Sequence, residues 1–178
     1  MFARDLRTGR TVAQRAGERF PMASVFKTLA VAAVLRDLDH DGEFLARRVH
    51  CTRAYVDRSG FSPVTGAAGN VSGGMTVAGL GDEPGPRDRE RLTGWMLRNT
   101  TSTERFRRGL PSDRLLADKA GSGRHGGANG VGVAWRPDGT PVVLSVLTTR
   151  PEEDAPADDP LVARTAALLA EEFGRGAA

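Results

Sequence analysis

The chain has 178 residues, 39% hydrophobic and 26% charged, with 25 lysines and arginines against 22 acidic residues and a formal net charge of +3. That length suits one domain with a real core, and the composition excludes intrinsic disorder. Basic and acidic residues are interleaved, as in Arg87-Asp88-Arg89-Glu90-Arg91, and aromatics make up only 6%, so the pattern is not that of a nucleic-acid partner.

No apolar run approaches the roughly 18 residues of a membrane span, and the longest, Leu29 to Leu35, is far too short. The N-terminal residues Met1 to Leu6 carry no charged segment followed by an apolar one, so no signal peptide is expected, and a cytoplasmic product follows if Met1 is the true start. Cys51, the single cysteine, excludes an internal disulfide and is expected to be a small buried apolar side chain. His40, His50 and His125 lack ligand-like spacing, so neither metal nor cofactor is expected.

In chain order, residues 2 to 15 predict a hairpin turning at Thr8-Gly9. Pro21 to Leu38 predicts a helix that is apolar on nearly every face and therefore buried all round. Lys27 is the anomaly within it, since a buried lysine needs a partner, a lowered pKa or a function. From Asp39 to Gly85, repeated glycines leave no helix of normal length, which counts against a complete fold. Pro86 to Arg98 predicts a helix with Leu92, Trp95 and Met96 on one face.

Strands follow at Leu115–Gly123, Val131–Trp135 and Val142–Thr149, the last two joined by a turn at Asp138-Gly139. Asp159 and Pro160 predict the start of a final helix burying Leu161, Thr165, Leu168 and Leu169, with Gly174 ending it. The first hairpin and the last three strands can form one antiparallel sheet flanked by helices, an α+β architecture.

Two short motifs carry chemistry. Ser24-Val25-Phe26-Lys27 is an S-x-x-K sequence at a helix start, which places Ser24 and Lys27 one turn apart on one face. A serine hydroxyl is a poor nucleophile until a base takes its proton, and a desolvated lysine can be that base. A helix N-terminus adds positive partial charge where an oxyanion would form. Lys119-Ala120-Gly121-Ser122-Gly123 reads as a strand end with a second lysine and small residues that let a ligand approach the backbone, or as an ordinary strand end with a turn.

S-x-x-K paired with a later K-T-G-like sequence is the pattern of class A β-lactamases and penicillin-binding proteins. The chain resembles the class A serine β-lactamases, and its actinobacterial branch most closely. The resemblance runs through Arg15–Lys27, Phe61–Thr65, Gly74–Val77, Trp95–Thr101, Arg107–Pro111 and Ala117–Lys119, in the family's order. It implies that Ser24 is the acylated nucleophile and that Lys27 shuttles its proton. The backbone N–H groups of Ser24 and Ser122 would form the oxyanion hole, with Lys119, Ala120, Gly121 and Ser122 along the substrate. Arg105 falls where actinobacterial members place an arginine for the β-lactam carboxylate.

The chain departs from the family in three places. No Ser-Asp-Asn occurs, Leu80 runs into Gly81-Asp82-Glu83-Pro84 as if an internal segment were absent, and K-T-G has become Lys119-Ala120-Gly121. With the absent segment go much of the helical subdomain and the loop carrying the glutamate that activates the deacylating water; Glu83 and Glu90 do not fit as replacements. The expectation is a single incomplete β-lactamase-like domain spanning residues 1–178, monomeric if folded, whose partner is a small β-lactam. Three functions are compatible with it: a hydrolase working through a Ser24 acyl-enzyme, a penicillin-binding or regulatory protein acylated without turnover, and a non-catalytic relic or interaction fragment.

Overall fold

A computed structural model describes residues 1–39, 42–59, 75–76 and 88–174. His40, Phe61–Thr65, Gly74, Val77, the Leu80–Gly81 junction, Glu83 and Pro86 lie outside the described residues. The chain divides into two compact units, Met1–Ala30 with Met96–Ala178, and Val31–Trp95.

The first unit is built on one sheet. Strands β1 (Phe2–Asp5) and β2 (Thr11–Ala13) form the expected hairpin, with Gly9 at φ +74°, a conformation open to glycine because it has no Cβ. Strands β5 (Leu115–Gly123), β6 (Gly127–Trp135) and β7 (Pro141–Val146) complete an all-antiparallel sheet in the order β2-β1-β7-β6-β5. Alternate residues of β1 and β7 face inward, so Ala3, Val142, Leu144 and Val146 meet Leu116, Ala128 and Ala134 in one core.

A short helix, Phe106–Gly109, and the C-terminal helix, Asp159–Gly174, close that core with Phe106, Val162, Ala166, Leu169 and Phe173. Burying Val162, Leu169 or Phe173 stabilises the docking by roughly 1.5–3 kcal/mol each. The antiparallel sheet flanked by helices is the architecture expected from the sequence.

Several local expectations are corrected. β6 begins at Gly127, four residues before the predicted Val131, because a second tight turn through His125 (φ +56°) and Gly126 (φ +61°) pairs Gly123 with Gly127. β7 stops at Val146, because Thr148 leaves the ladder to pair with β6 through its side chain: its Oγ1 accepts from Ala128 N at 2.8 Å. On the last helix the buried face is Val162, Ala163, Ala166, Leu169 and Phe173, whereas Leu161 and Leu168 are exposed. Of the expected face Leu169 is buried and Thr165 half-buried, while Leu161 and Leu168 turn outward, since apolar residues occupy more than one side and docking selects among them. Asp158, not Asp159, caps this helix, accepting Leu161 N on Oδ1 at 2.9 Å.

The predicted Pro21–Leu38 helix is a 3-10 turn at Ala23–Val25 followed by α1, Phe26–Asp37. The carbonyls of Pro21 and Met22 accept hydrogen bonds from Asn129 of β6, and Ala23 adopts φ +47°, so regular helix cannot begin before them. Nor is the helix buried all round. Phe26 is 51% and Leu29 64% exposed, and Lys27 is exposed as well. Apolar composition states what a helix can bury, but burial needs a neighbour packed over each side chain, and Phe26 and Leu29 are covered only in part.

The second unit holds α2 (Glu43–Ala46), β3 (Arg48–Val49) paired with β4 (Met75–Thr76), α3 (Arg53–Ser59) and most of α4 (Asp88–Leu97). These short pieces match the expectation of no helix of normal length between Asp39 and Gly85 within the described residues. Asp39 organises the unit: Oδ1 accepts Leu45 N at 3.0 Å and Oδ2 accepts Arg91 Nη1 at 2.7 Å. Cys51 is half-buried, not buried as expected, on the irregular link between β3 and α3, where no strand or helix seats it. Leu92, Trp95 and Met96 of α4 are half-buried. The helices Phe106–Gly109 and Asp159–Gly174 are α5 and α6 below. No helix among the described residues is long and apolar enough to cross a membrane.

Candidate active site

The S-x-x-K and K-A-G-S sequences meet at one end of the sheet. Ser24 sits in the 3-10 turn, half-buried, against the end of β5. The approach is set by Gly121. A Cβ on that residue would lie 2.9 Å from Ser24 N, 3.0 Å from Val25 N and 3.3 Å from Met22 O, so only a bare Cα allows the strand and the turn to touch.

The neighbouring strand holds the same turn from its other end. Asn129, fully buried on β6 in register with Gly121, donates through Nδ2 to Pro21 O at 2.8 Å and Met22 O at 3.1 Å. Its Oδ1 accepts Thr148 N at 2.9 Å. Nothing in the motif reading pointed to Asn129; the one available signal was a lone amide side chain inside the glycine-rich Gly126–Gly132 run.

Arg105 precedes α5 and is 5% exposed. Its Nε donates to Asp159 Oδ1 at 2.8 Å, Nη1 to Gly121 O at 2.8 Å and Asn129 O at 2.9 Å, and Nη2 to Ser122 Oγ at 2.5 Å. The guanidinium therefore ties α6 to β5 and β6 and orients the exposed Ser122 hydroxyl.

Lys119 is half-buried and donates to Ala120 O at 2.6 Å, while Ala120 itself is buried. Burial pushes the Lys119 ammonium below the ordinary lysine value. The charges of Lys27 and Arg105 push the same way, and the charge of Asp118 opposes them. The desolvation argued from sequence for Lys27 thus belongs to Lys119. Asp118 is fully buried behind Lys119, accepting Asn99 Nδ2 at 3.1 Å with Arg107 Nη2 at 3.7 Å.

Ser24, Gly121, Ser122, Lys119 and Arg105 are thus gathered around one strand end, with Lys27 close enough for its charge to act on Lys119. The arrangement offers a hydroxyl beside exposed backbone, two ammonium groups of differing exposure and a second, oriented hydroxyl. That is a set able to hold an anionic substrate and attack its carbonyl.

The profile of the beta-lactamase enzyme family matches residues 1–72 and 81–173. A beta-lactamase of Streptomyces lavendulae is 47% identical over 247 residues, covering 98% of this chain and 81% of the relative. One from Streptomyces fradiae is 49% identical over 243 residues, covering 96% and 79%. The solved structure of the beta-lactamase from Streptomyces albus G superposes with a TM-score of 0.88 at 39% identity, covering 96% of this chain and 92% of that one. The aligned stretches of 247 and 243 residues exceed the 178 residues of the chain, so these relatives carry residues with no counterpart here. The family match breaks between Ser72 and Gly81, around the junction where the sequence suggested an absent segment.

Proposed function

The chain belongs to the beta-lactamase enzyme family, and from that membership we propose that Ser24 opens the amide of a β-lactam through an acyl-enzyme whose release is slow. The observation that supports this reading is the contact of the bare Gly121 Cα with the Ser24 turn, on the strand end whose sequence also carries Lys119 and Ser122. Ser24 Oγ attacks the lactam carbonyl carbon and gives up its proton, which Lys27 relays. The C–N bond then breaks, and Lys27 returns that proton to the ring nitrogen. The N–H groups of Ser24 and Ser122 stabilise the oxyanion.

Lys119 and the Ser122 hydroxyl, held by Arg105, receive the substrate carboxylate. Ala120 supplies no hydroxyl there, which costs about 1 kcal/mol for one hydrogen bond. Deacylation is the weak step. The chain contains no Ser-Asp-Asn, and by its resemblance to the family the water-activating glutamate would fall in the segment without a counterpart here. Loss of general-base help typically slows such a step by about 10²–10⁴-fold.

Intact mass after incubation with a penicillin tests the reading. A gain of one penicillin is expected on the unaltered protein and none on Ser24→Ala, with the adduct persisting after free penicillin is removed. A folded protein that gains no mass and releases no product would overturn it. Acylation with no release at all would make the chain a penicillin binder, and product appearing after removal of free ligand separates the two.

The Lys119 ammonium leads to a second expectation. A penicillin carboxylate needs the protonated form, which is present below the Lys119 pKa and lost above it. Because that pKa is lowered, the dissociation constant should begin to rise at a pH under the usual lysine value of 10.5. The rise should reach roughly tenfold or more, the worth of one charged hydrogen bond. Lys119→Arg should keep binding constant to higher pH, since guanidinium stays charged. A pH-independent dissociation constant in the unaltered protein would remove Lys119 from the carboxylate site.

A further inference from the structure

We infer that Asn129 is a positioning residue for the reaction: its side-chain amide holds the two carbonyls ahead of Ser24 so that the Ser24 N–H points at the developing oxyanion. The inference rests on the Ser24 reading above and adds a residue that lies outside both motifs.

The geometry leaves the amide one orientation. Two carbonyl oxygens, Pro21 O and Met22 O, face one end, and an N–H, that of Thr148, faces the other. Only Nδ2 toward the carbonyls and Oδ1 toward Thr148 satisfies all three. Met22 O also accepts Val25 N at 3.3 Å, the bond that closes the 3-10 turn around Ser24. Between the held carbonyls and the serine lies Ala23 at φ +47°, a left-handed conformation that a residue with a Cβ adopts only when its surroundings impose it.

Gly121 blocks the turn from moving toward β5, and the Asn129 amide prevents the preceding carbonyls from rotating away. Without that amide, Ala23 can relax out of the left-handed region. The peptide plane between Ala23 and Ser24 then turns, and the Ser24 N–H leaves its direction. Because an oxyanion exists in the transition state and not in bound penicillin, the loss should fall on the chemical step and not on binding.

The experiment measures acylation against penicillin concentration, separating the rate at saturation from the dissociation constant. Asn129→Ala and Asn129→Asp are compared with a core truncation, Val162→Ala, that lowers thermal stability away from the turn. Asn129→Asp preserves shape and the acceptor for Thr148 but sets carboxylate oxygens against the two carbonyls. Both Asn129 variants should lose about 10–100-fold in the saturated rate, approaching the effect of removing one oxyanion donor, with the dissociation constant changed less than about threefold.

Hydrogen exchange supplies a readout independent of penicillin. In Asn129→Ala, exchange at Val25, whose N–H is held by Met22 O, should accelerate by about tenfold or more while β5 and β6 stay protected. An unchanged saturated rate, a loss confined to the dissociation constant, or an equal loss in Val162→Ala would overturn the inference, as would unchanged exchange at Val25. If the unaltered protein is never acylated, the Ser24 reading fails, and the exchange result alone decides whether Asn129 holds the turn.

Discussion

Gly121→Ala should slow acylation at Ser24 by about 100-fold or more, the cost of displacing a reacting group by roughly 1 Å. The added methyl would meet Ser24 N at 2.9 Å, Val25 N at 3.0 Å and Met22 O at 3.3 Å. All three are backbone atoms, which cannot swing aside as a flexible side chain can. Either the serine turn lifts from β5 or the strand bows outward, and both separate the Ser24 hydroxyl from Lys119 and Ser122. Overpacking of this kind typically destabilises by about 1–3 kcal/mol, so the protein should still fold. Gly123→Ala is the control, because its methyl would meet only the Ala23 Cβ at 3.5 Å, an ordinary contact. Comparing acylation rates of the two variants by intact mass decides the matter. Equal rates in Gly121→Ala and the unaltered protein would show that the close approach is not needed.

Arg105→Ala should be the most destabilising of the changes considered, by about 3–5 kcal/mol, the usual cost of removing one partner of a buried ion pair. Asp159 is one-third exposed and recovers part of its hydration, which moderates the electrostatic share. The larger share comes from Gly121 O and Asn129 O, which lose the guanidinium donor they have in common. Ser122 loses its orienting donor in the same substitution. Arg105→Lys should recover little, because one ammonium cannot span β5, β6 and α6 as the planar fork does. Denaturant midpoints for the two variants measure this. A shift worth less than about 1 kcal/mol, the level of an exposed pair, would mean that the network contributes no more than a surface interaction.

The legible part of this fold is the part written in short-range physics. Thr8-Gly9 and Asp138-Gly139 mark turns because few residues tolerate the required backbone, and β1–β2 and β6–β7 formed around them. Ser24-x-x-Lys27 and Lys119-Ala120-Gly121-Ser122 are legible for a chemical reason: a nucleophile, a base and a close backbone approach each restrict residue type at fixed spacing. These features, with the order of the segments, sufficed to place the chain in its family.

Contacts far apart in sequence were decided only by the tertiary structure. Asn129 clamps carbonyls 107 and 108 residues earlier, and no periodicity signals such a bond. Arg105 looked like a ligand for a carboxylate, yet most of its donors go to Gly121, Asn129, Ser122 and Asp159, because the residues folded around it supply acceptors that the local sequence does not display. Docking chose which side of α6 is buried, since several of its faces are apolar enough to serve. The exposure of Phe26, Lys27 and Leu29 has the same origin. The sequence determined that this segment is apolar and carries a serine and a lysine, but whether a side chain is desolvated depends on what packs over it, and that is a property of neighbours and not of composition.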